Sequence, residues 1–196
     1  MVGPLESEAT QSVTIPQLIT DPIWSLKLWP VKVDLLGTTF MIPELPAADW
    51  LHVLMRDSFY LEDLFPGLCE EEDQSIVDTW ISEQKLGIPE LWDVSLDILD
   101  TVTGRPWYVS LRIISAAQQA WTTLGGVLVR EGVDASHISI AAWLDAVFSI
   151  FAERLDKAIF SRFLVELDVD PTVEPGDSLE QMEMSRDMFA SFMAGQ

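Results

Sequence analysis

The sequence predicts a mainly α-helical single domain that carries a small N-terminal β-hairpin, preceded by an extended arm and followed by an acidic tail. Three observations predict it. Apolar residues recur at three- and four-residue spacing through most of 47–167, as in Ile140, Trp143, Leu144, Val147 and Phe151. One stretch alternates instead, Val31-Lys-Val-Asp-Leu35, with Gly37 just after it. The hydrophobic fraction is 48% with 8 Trp in 196 residues, enough to bury one sizeable core.

Residues 1–29 read as an arm. Pro4, Pro16 and Pro22 punctuate them, and their apolar residues follow no sustained period. At 31–42 the alternation, Gly37 and Thr38 to Ile42 predict a hairpin with Val31, Val33 and Leu35 on one face, ended by Pro43 and Pro46. A two-stranded hairpin is marginal alone in water, so it is expected to pack on helices.

From Ala47 the period becomes helical. Trp50, Leu51, Leu54 and Met55 share one face. Pro66-Gly67 is expected to break a short acidic turn. A helix over 70–84 begins with acids in its first turn, where they favour the macrodipole, and Ile76, Val77, Trp80 and Ile81 form its expected buried stripe. Gly87 stops it, and Pro89 opens a helix with Leu91, Trp92, Leu96 and Leu99 inside. Gly104 and Pro106 form a stop–start pair.

Trp107, Leu111, Ile114 and Trp121 then sit at helical spacing, with Gly125-Gly126 expected to kink or end that helix. Residues 132–137 read as a loop with Asp134 and Ser136 available as caps. The stripe from Ile140 to Phe151 follows, and Phe160, Phe163, Leu164 and Leu167 make another. Trp107, Leu111, Trp121, Trp143, Leu144 and Val147 are expected to be buried together. The helical domain thus spans 30–167. Residues 168–178 are an acidic, proline-interrupted linker, and 179–196 a terminal amphipathic helix.

The charge sets limits on partners. The net charge is −21, from 11 Lys and Arg against 32 Asp and Glu. Neutralising phosphates requires clustered cations, so a nucleic-acid partner is excluded. Residues 57–104 hold 13 acids and one base, and 168–196 hold 7 acids and one base, whereas 105–167 are balanced at 6 and 6. The balanced segment is expected to build the core, and the acidic ones solvated faces able to attract a basic partner.

Cys69 is the single cysteine, so no intramolecular disulfide or thiolate zinc cluster can form, and a reducing compartment is the natural setting. Met1 to Gln11 lack the basic and apolar regions of a signal peptide. The most apolar run, 138–151, contains Asp145 and would span only about 21 Å as a helix, short of the ~30 Å hydrocarbon core, so no membrane partner is expected.

Catalytic chemistry has few candidates. His52 and His137 are the only histidines, one on a helix and one in a loop, and both read as boundary residues. Asp93, Asp97 and Asp100 can share a helix face, where solvation accounts for them better than a cation does, and the acids at 70–73 are explained most simply by charge at a helix N-terminus. Cys69 beside Leu68 reads as a small buried hydrophobe. No phosphate loop, dinucleotide fingerprint, nucleophile elbow or zinc-protease motif occurs. The expectation is a non-enzyme with no catalytic, cofactor or metal residues and no cofactor. Most tryptophans fall on predicted core stripes. Trp24 and Trp29 lie in the arm and, with Leu179, Met182, Phe189, Phe192 and Met193 on one side of the terminal helix, are the candidate partner-binding residues.

Several segments, in order, carry a family resemblance: the hairpin followed by Ile42-Pro-Glu-Leu-Pro-Ala-Ala-Asp-Trp-Leu51; Asp63-Leu-Phe-Pro-Gly-Leu68, trailed by acids; and Gly104-Arg-Pro-Trp-Tyr108 with its long helix, then Gly132-Val-Asp134 and Ala141-Ala-Trp-Leu-Asp145. Across about residues 30–167 the chain resembles the tail assembly chaperones of long-tailed, siphovirus-type phages of actinobacteria. The resemblance implies a non-enzymatic protein that binds the tape measure protein, a long helical rod with apolar stripes, and keeps it soluble until tail tube protein polymerises around it. It also implies residence in the cytoplasm of the infected host and absence from the mature virion; many such chaperones are made in two lengths by a ribosomal frameshift, of which this chain would be the shorter. Self-association is a further expectation. A structural tail or connector protein present in the virion is the alternative.

Overall fold

The computed structural model describes residues 30–55 and 59–169. The predicted arm at 1–29, the terminal segment 179–196 and nearly all of the linker lie outside the described residues. Those that are described are mainly α-helical, with one two-stranded antiparallel sheet.

Strand β1 (Val31–Leu35) pairs with β2 (Thr38–Ile42) in the register Val31↔Ile42, Val33↔Phe40 and Leu35↔Thr38. Leu36 and Gly37 make the two-residue turn, with φ of 48° and 81°. Both are left-handed, as a turn matched to strand twist requires, and the leucine bears strain that Gly37 escapes. The alternation works as expected: Val31, Val33 and Leu35 face inward together with Phe40 and Ile42. Phe40 meets the rings of Phe65 and Trp80 edge-on, with centroids 5.3 and 5.7 Å away, which fixes the hairpin on the helices.

Helix α1 (Ala47–Leu54) buries Trp50, Leu51 and Leu54. It has no side-chain cap. The free amides of Ala47 and Ala48 donate instead to the carbonyls of Ile138 and Ala135, at 2.8 and 2.9 Å. After a 3-10 turn at Leu61–Asp63 comes α2 (Leu64–Leu68), which runs through Pro66-Gly67 rather than breaking there. Pro66 is the third residue of that helix, where an amide has no intrahelical acceptor, so its missing N–H costs nothing.

Helix α3 (Glu71–Ser82) corrects a second expectation. Only Val77 is fully buried and Trp80 is half-buried, whereas Ile76 and Ile81 are 37% and 40% exposed. At roughly 100° per residue the two isoleucines flank the Val77–Trp80 line on opposite sides, and the body covers only the middle of the stripe. Helix α4 (Ile88–Thr103) starts at Gly87, whose amide donates to the Glu90 carboxylate at 3.1 Å. Its buried face includes Leu91, Trp92, Ile98 and Leu99, with Leu96 at the half-buried margin. Gly104, at φ 63°, closes it, its backbone N–H donating to Asp100 O at 2.8 Å.

Helix α5 (Trp107–Gln119) buries Leu111 and Ile114 and leaves Trp107 half-buried. It ends at Ala120, and α6 (Trp121–Arg130) begins at once and passes through Gly125-Gly126. The expected break is thus five residues early, and it resets the helical phase. Leu124, Val127 and Leu128 turn to the core, and Trp121, expected inside, is 47% exposed.

Helix α7 (Ile140–Arg154) is the central element and packs on α1, α4, α5 and α6. Ile140, Trp143, Leu144, Val147 and Phe151 are all buried, as their spacing predicts. Its cap is Ser139, whose hydroxyl accepts from Ala142 N at 3.2 Å, while Asp134 serves the loop by accepting from Ser136 N at 2.9 Å. Helix α8 (Lys157–Leu167) starts at Asp156 and buries Phe163 and Leu167, leaving Phe160 and Leu164 half-buried. Phe163 meets Phe151 edge-on at 5.7 Å.

Candidate functional site

Among the described residues, those with reactive or metal-binding side chains do not gather into one cluster. His52 is exposed on α1. His137 is exposed in the loop before α7, with Nδ1 3.8 Å from Asp134 Oδ2. Cys69, at the end of α2, is half-buried, and its thiol donates to Phe65 O at 3.2 Å. Burial, and then the charge of Asp73, push that thiol up to about 12. It is therefore protonated at neutral pH and a poor nucleophile.

Asp93, Asp97 and Asp100 are all exposed on α4. Asp100 has a structural task, since its carboxylate accepts the free amide of Trp107 at the start of α5. Partial burial raises its pKa, the Trp107 bond opposes this, and Asp97 adds to the rise. Among the described residues no group of three or more His, Cys, Asp and Glu side chains is placed to hold a metal ion.

What the fold does bring together is its separate sequence segments. Arg105, in the α4–α5 corner, is almost wholly buried and pairs with Asp145 on α7, whose side chain is about half exposed. Beneath the corner, Ser110 Oγ donates to Thr103 Oγ1 at 2.9 Å, and Thr103 donates to Leu99 O at 2.7 Å. The Ala47 and Ala48 amides join the start of α1 to the 135–138 loop. On α2, Phe65 N donates to the buried Ser95 hydroxyl of α4 at 3.3 Å. At the far end, Arg112 of α5 donates to the carbonyls of Glu166 and Val169 and lies 5.6 Å from the centroid of the Tyr108 ring. These joints tie the separate segments into one frame.

Among the described residues, two helices each leave two large apolar side chains exposed. One is α3, where Ile76 and Ile81 stand among exposed Glu71, Glu72 and Asp78. The other is α6, with Trp121 and Val129, the latter 78% exposed. Sequence reasoning missed the second because Trp121 fits the phase of α5 and nothing local marks the break at Ala120. The predicted partner-binding residues Trp24, Trp29, Leu179, Met182, Phe189, Phe192 and Met193 all fall outside the described residues. Among the described residues no helix is long and apolar enough to cross a membrane. The chain matches no family model, no curated protein and no solved structure.

Proposed function

We propose that this protein is a non-enzymatic tail assembly chaperone of a long-tailed actinobacteriophage, holding the tape measure protein soluble in the host cytoplasm while tail tube protein assembles. The observation that carries the reading is the way the segments with the family resemblance interlock. Arg105 of Gly104-Arg-Pro-Trp-Tyr108 pairs with Asp145 of Ala141-Ala-Trp-Leu-Asp145, and Ala47 and Ala48 of the Ile42–Leu51 segment bond to the loop that begins with Gly132-Val-Asp134. Segments scattered over about a hundred residues thus form one folding unit, as a shared family pattern requires. A holding chaperone also needs exposed apolar surface for its client and strong like charge to keep the complex dispersed. Helices α3 and α6 and the net charge of −21 supply both.

Co-expression of the full chain with the tape measure protein of the same phage tests this. The tape measure protein stays in the soluble fraction and co-purifies with the chain, whereas alone it sediments. Mass spectrometry of purified virions then finds the tape measure protein without this chain. Recovery of the chain in virions at subunit stoichiometry would establish the structural tail or connector protein instead.

A further inference from the structure

We infer that α3 is a lid that lifts off the Phe40 and Phe65 rings while the rest of the domain stays folded, and that the slot it vacates takes an apolar stripe on a helix of the client. The chain is fixed on either side of the lid by buried Leu68 and Leu86. Between them run seventeen residues, Cys69 to Lys85, of which Val77 alone is fully buried. Helix α7, by contrast, buries eight of its fifteen residues. Among the described residues no side chain of α3 makes a hydrogen bond or ion pair with another element. Thr79 and Ser82 bond to carbonyls of their own helix, and just past it Glu83 pairs with Lys85. What holds α3 down is therefore the burial of Val77 and of part of Trp80, a small share of a domain's stability.

Charge and strain favour release. Helix α3 carries Glu71, Glu72, Asp73 and Asp78 and no base, so the net charge of −21 repels it from the body. The same first-turn acids suit the helix dipole, which lets α3 stay helical when it lifts. Its far end closes in a Schellman turn, with Gln84 N donating to Ile81 O at 3.0 Å and Lys85 N to Trp80 O at 2.8 Å. That turn needs a left-handed residue, usually glycine, and here Gln84 holds φ 57° under strain. Beneath the lid, Trp80 covers Phe40, whose ring in turn meets Phe65. The slot is shaped by Val77 and Trp80, three residues apart on a helix, so it fits another helix with apolar residues at that spacing. The identity of this occupant rests on the chaperone reading; the lid does not.

Native-state hydrogen exchange of the full chain tests the lid, and the apolar dye ANS reads the slot without any client. The α3 amides are expected to exchange at least about a hundredfold faster than those of α7. Val77→Ala should speed α3 exchange about tenfold further and raise ANS fluorescence, with α7 exchange unchanged within about twofold. Gly relieves the strained turn, so Gln84→Gly should slow α3 exchange. Exchange of α3 and α7 at one common rate overturns the inference, as does a Val77→Ala variant that speeds both alike. Co-expression with the tape measure protein reads the occupant: Val77→Ala raises the fraction held soluble and Gln84→Gly lowers it. A lid that opens separately but whose variants leave that fraction unchanged overturns the slot as the client's site. Failure of the wild-type chain to hold the tape measure protein, with exchange and ANS responding as expected, would count against the chaperone reading alone.

Discussion

Arg105 and Asp145, 40 residues apart in sequence, are joined by an ion pair that ties the α4–α5 corner to α7. The arginine side chain is 5% exposed and the aspartate 45%, so one charge is almost fully desolvated while the other still meets water. Removing the carboxylate takes from that buried cation its ion pair to α7. Asp145→Ala should destabilise the protein by about 2 kcal/mol, less than the loss typical of a fully buried pair because water already screens the aspartate. Urea denaturation measures it, and a double-mutant cycle with Arg105→Met isolates the coupling. A loss within about 0.5 kcal/mol would show that the pair does not hold the corner.

The hairpin should depend on one ring. Phe40 is fully buried between Phe65 and Trp80. Phe40→Ala should cost about 3–5 kcal/mol through lost burial and the cavity left behind. Met41→Ala, on the exposed face of the same strand, should cost under about 0.5 kcal/mol. Equal effects of the two changes would mean that the sheet is not docked as described.

Cys69 should be unreactive in the folded protein. With its thiol pushed up to about 12, alkylation by iodoacetamide at pH 8 should run on the order of a thousandfold slower than in urea, rising about tenfold per pH unit toward pH 11. The linkage has a definite sign. The folded pKa lies above the unfolded one, so the contribution of the neutral thiol is fully present below the ordinary value of 9.0 and is lost as pH rises toward 12. Cys69→Ala should therefore flatten the fall in stability across that window.

Asp100 should be more useful as an acceptor than as a charge. Its pKa is raised chiefly by partial burial, so its contribution to stability is present below the ordinary carboxylate value and is lost as pH rises through the folded value. Asp100→Asn keeps an oxygen for Trp107 N and should leave stability at pH 7 within about 0.5 kcal/mol of wild type, while Asp100→Ala orphans that amide and should cost about 1 kcal/mol. Thermal melts at pH 4 and pH 7 compare them.

Two tests bear on function. Joint replacement of His52, Cys69 and His137 by Ala should leave solubilisation of the tape measure protein intact, with only a modest packing loss at Cys69; a folded triple variant that cannot support tail assembly would count against the non-enzymatic reading. Deletion of residues 179–196 should weaken solubilisation and leave the melting temperature of the remaining domain within about 2 °C. A large drop in melting temperature with client binding preserved would place that segment in the core.

The sequence by itself determined that the chain is mainly helical, where the hairpin lies, and the inward faces of β1, α4 and α7. Those faces follow from local periodicity, because a residue two, three or four positions away is fixed by backbone geometry alone. Gly87 and Gly104 were legible as boundaries for the same reason. Tertiary structure decided the rest. The break at Ala120 has no local signal, since alanine is the best helix former; it exists because Leu124, Val127 and Leu128 must reach the core, and that turns Trp121 outward. Whether Ile76 and Ile81 are covered depends on how much of α3 the body overlies, and Pro66 is harmless only because the chain places it in a first turn. The pairing of Arg105 with Asp145 and the capping of α1 by a loop about ninety residues away depend on closure of the whole chain. Periodicity specifies a direction from the helix axis, and only packing determines what, if anything, stands in that direction.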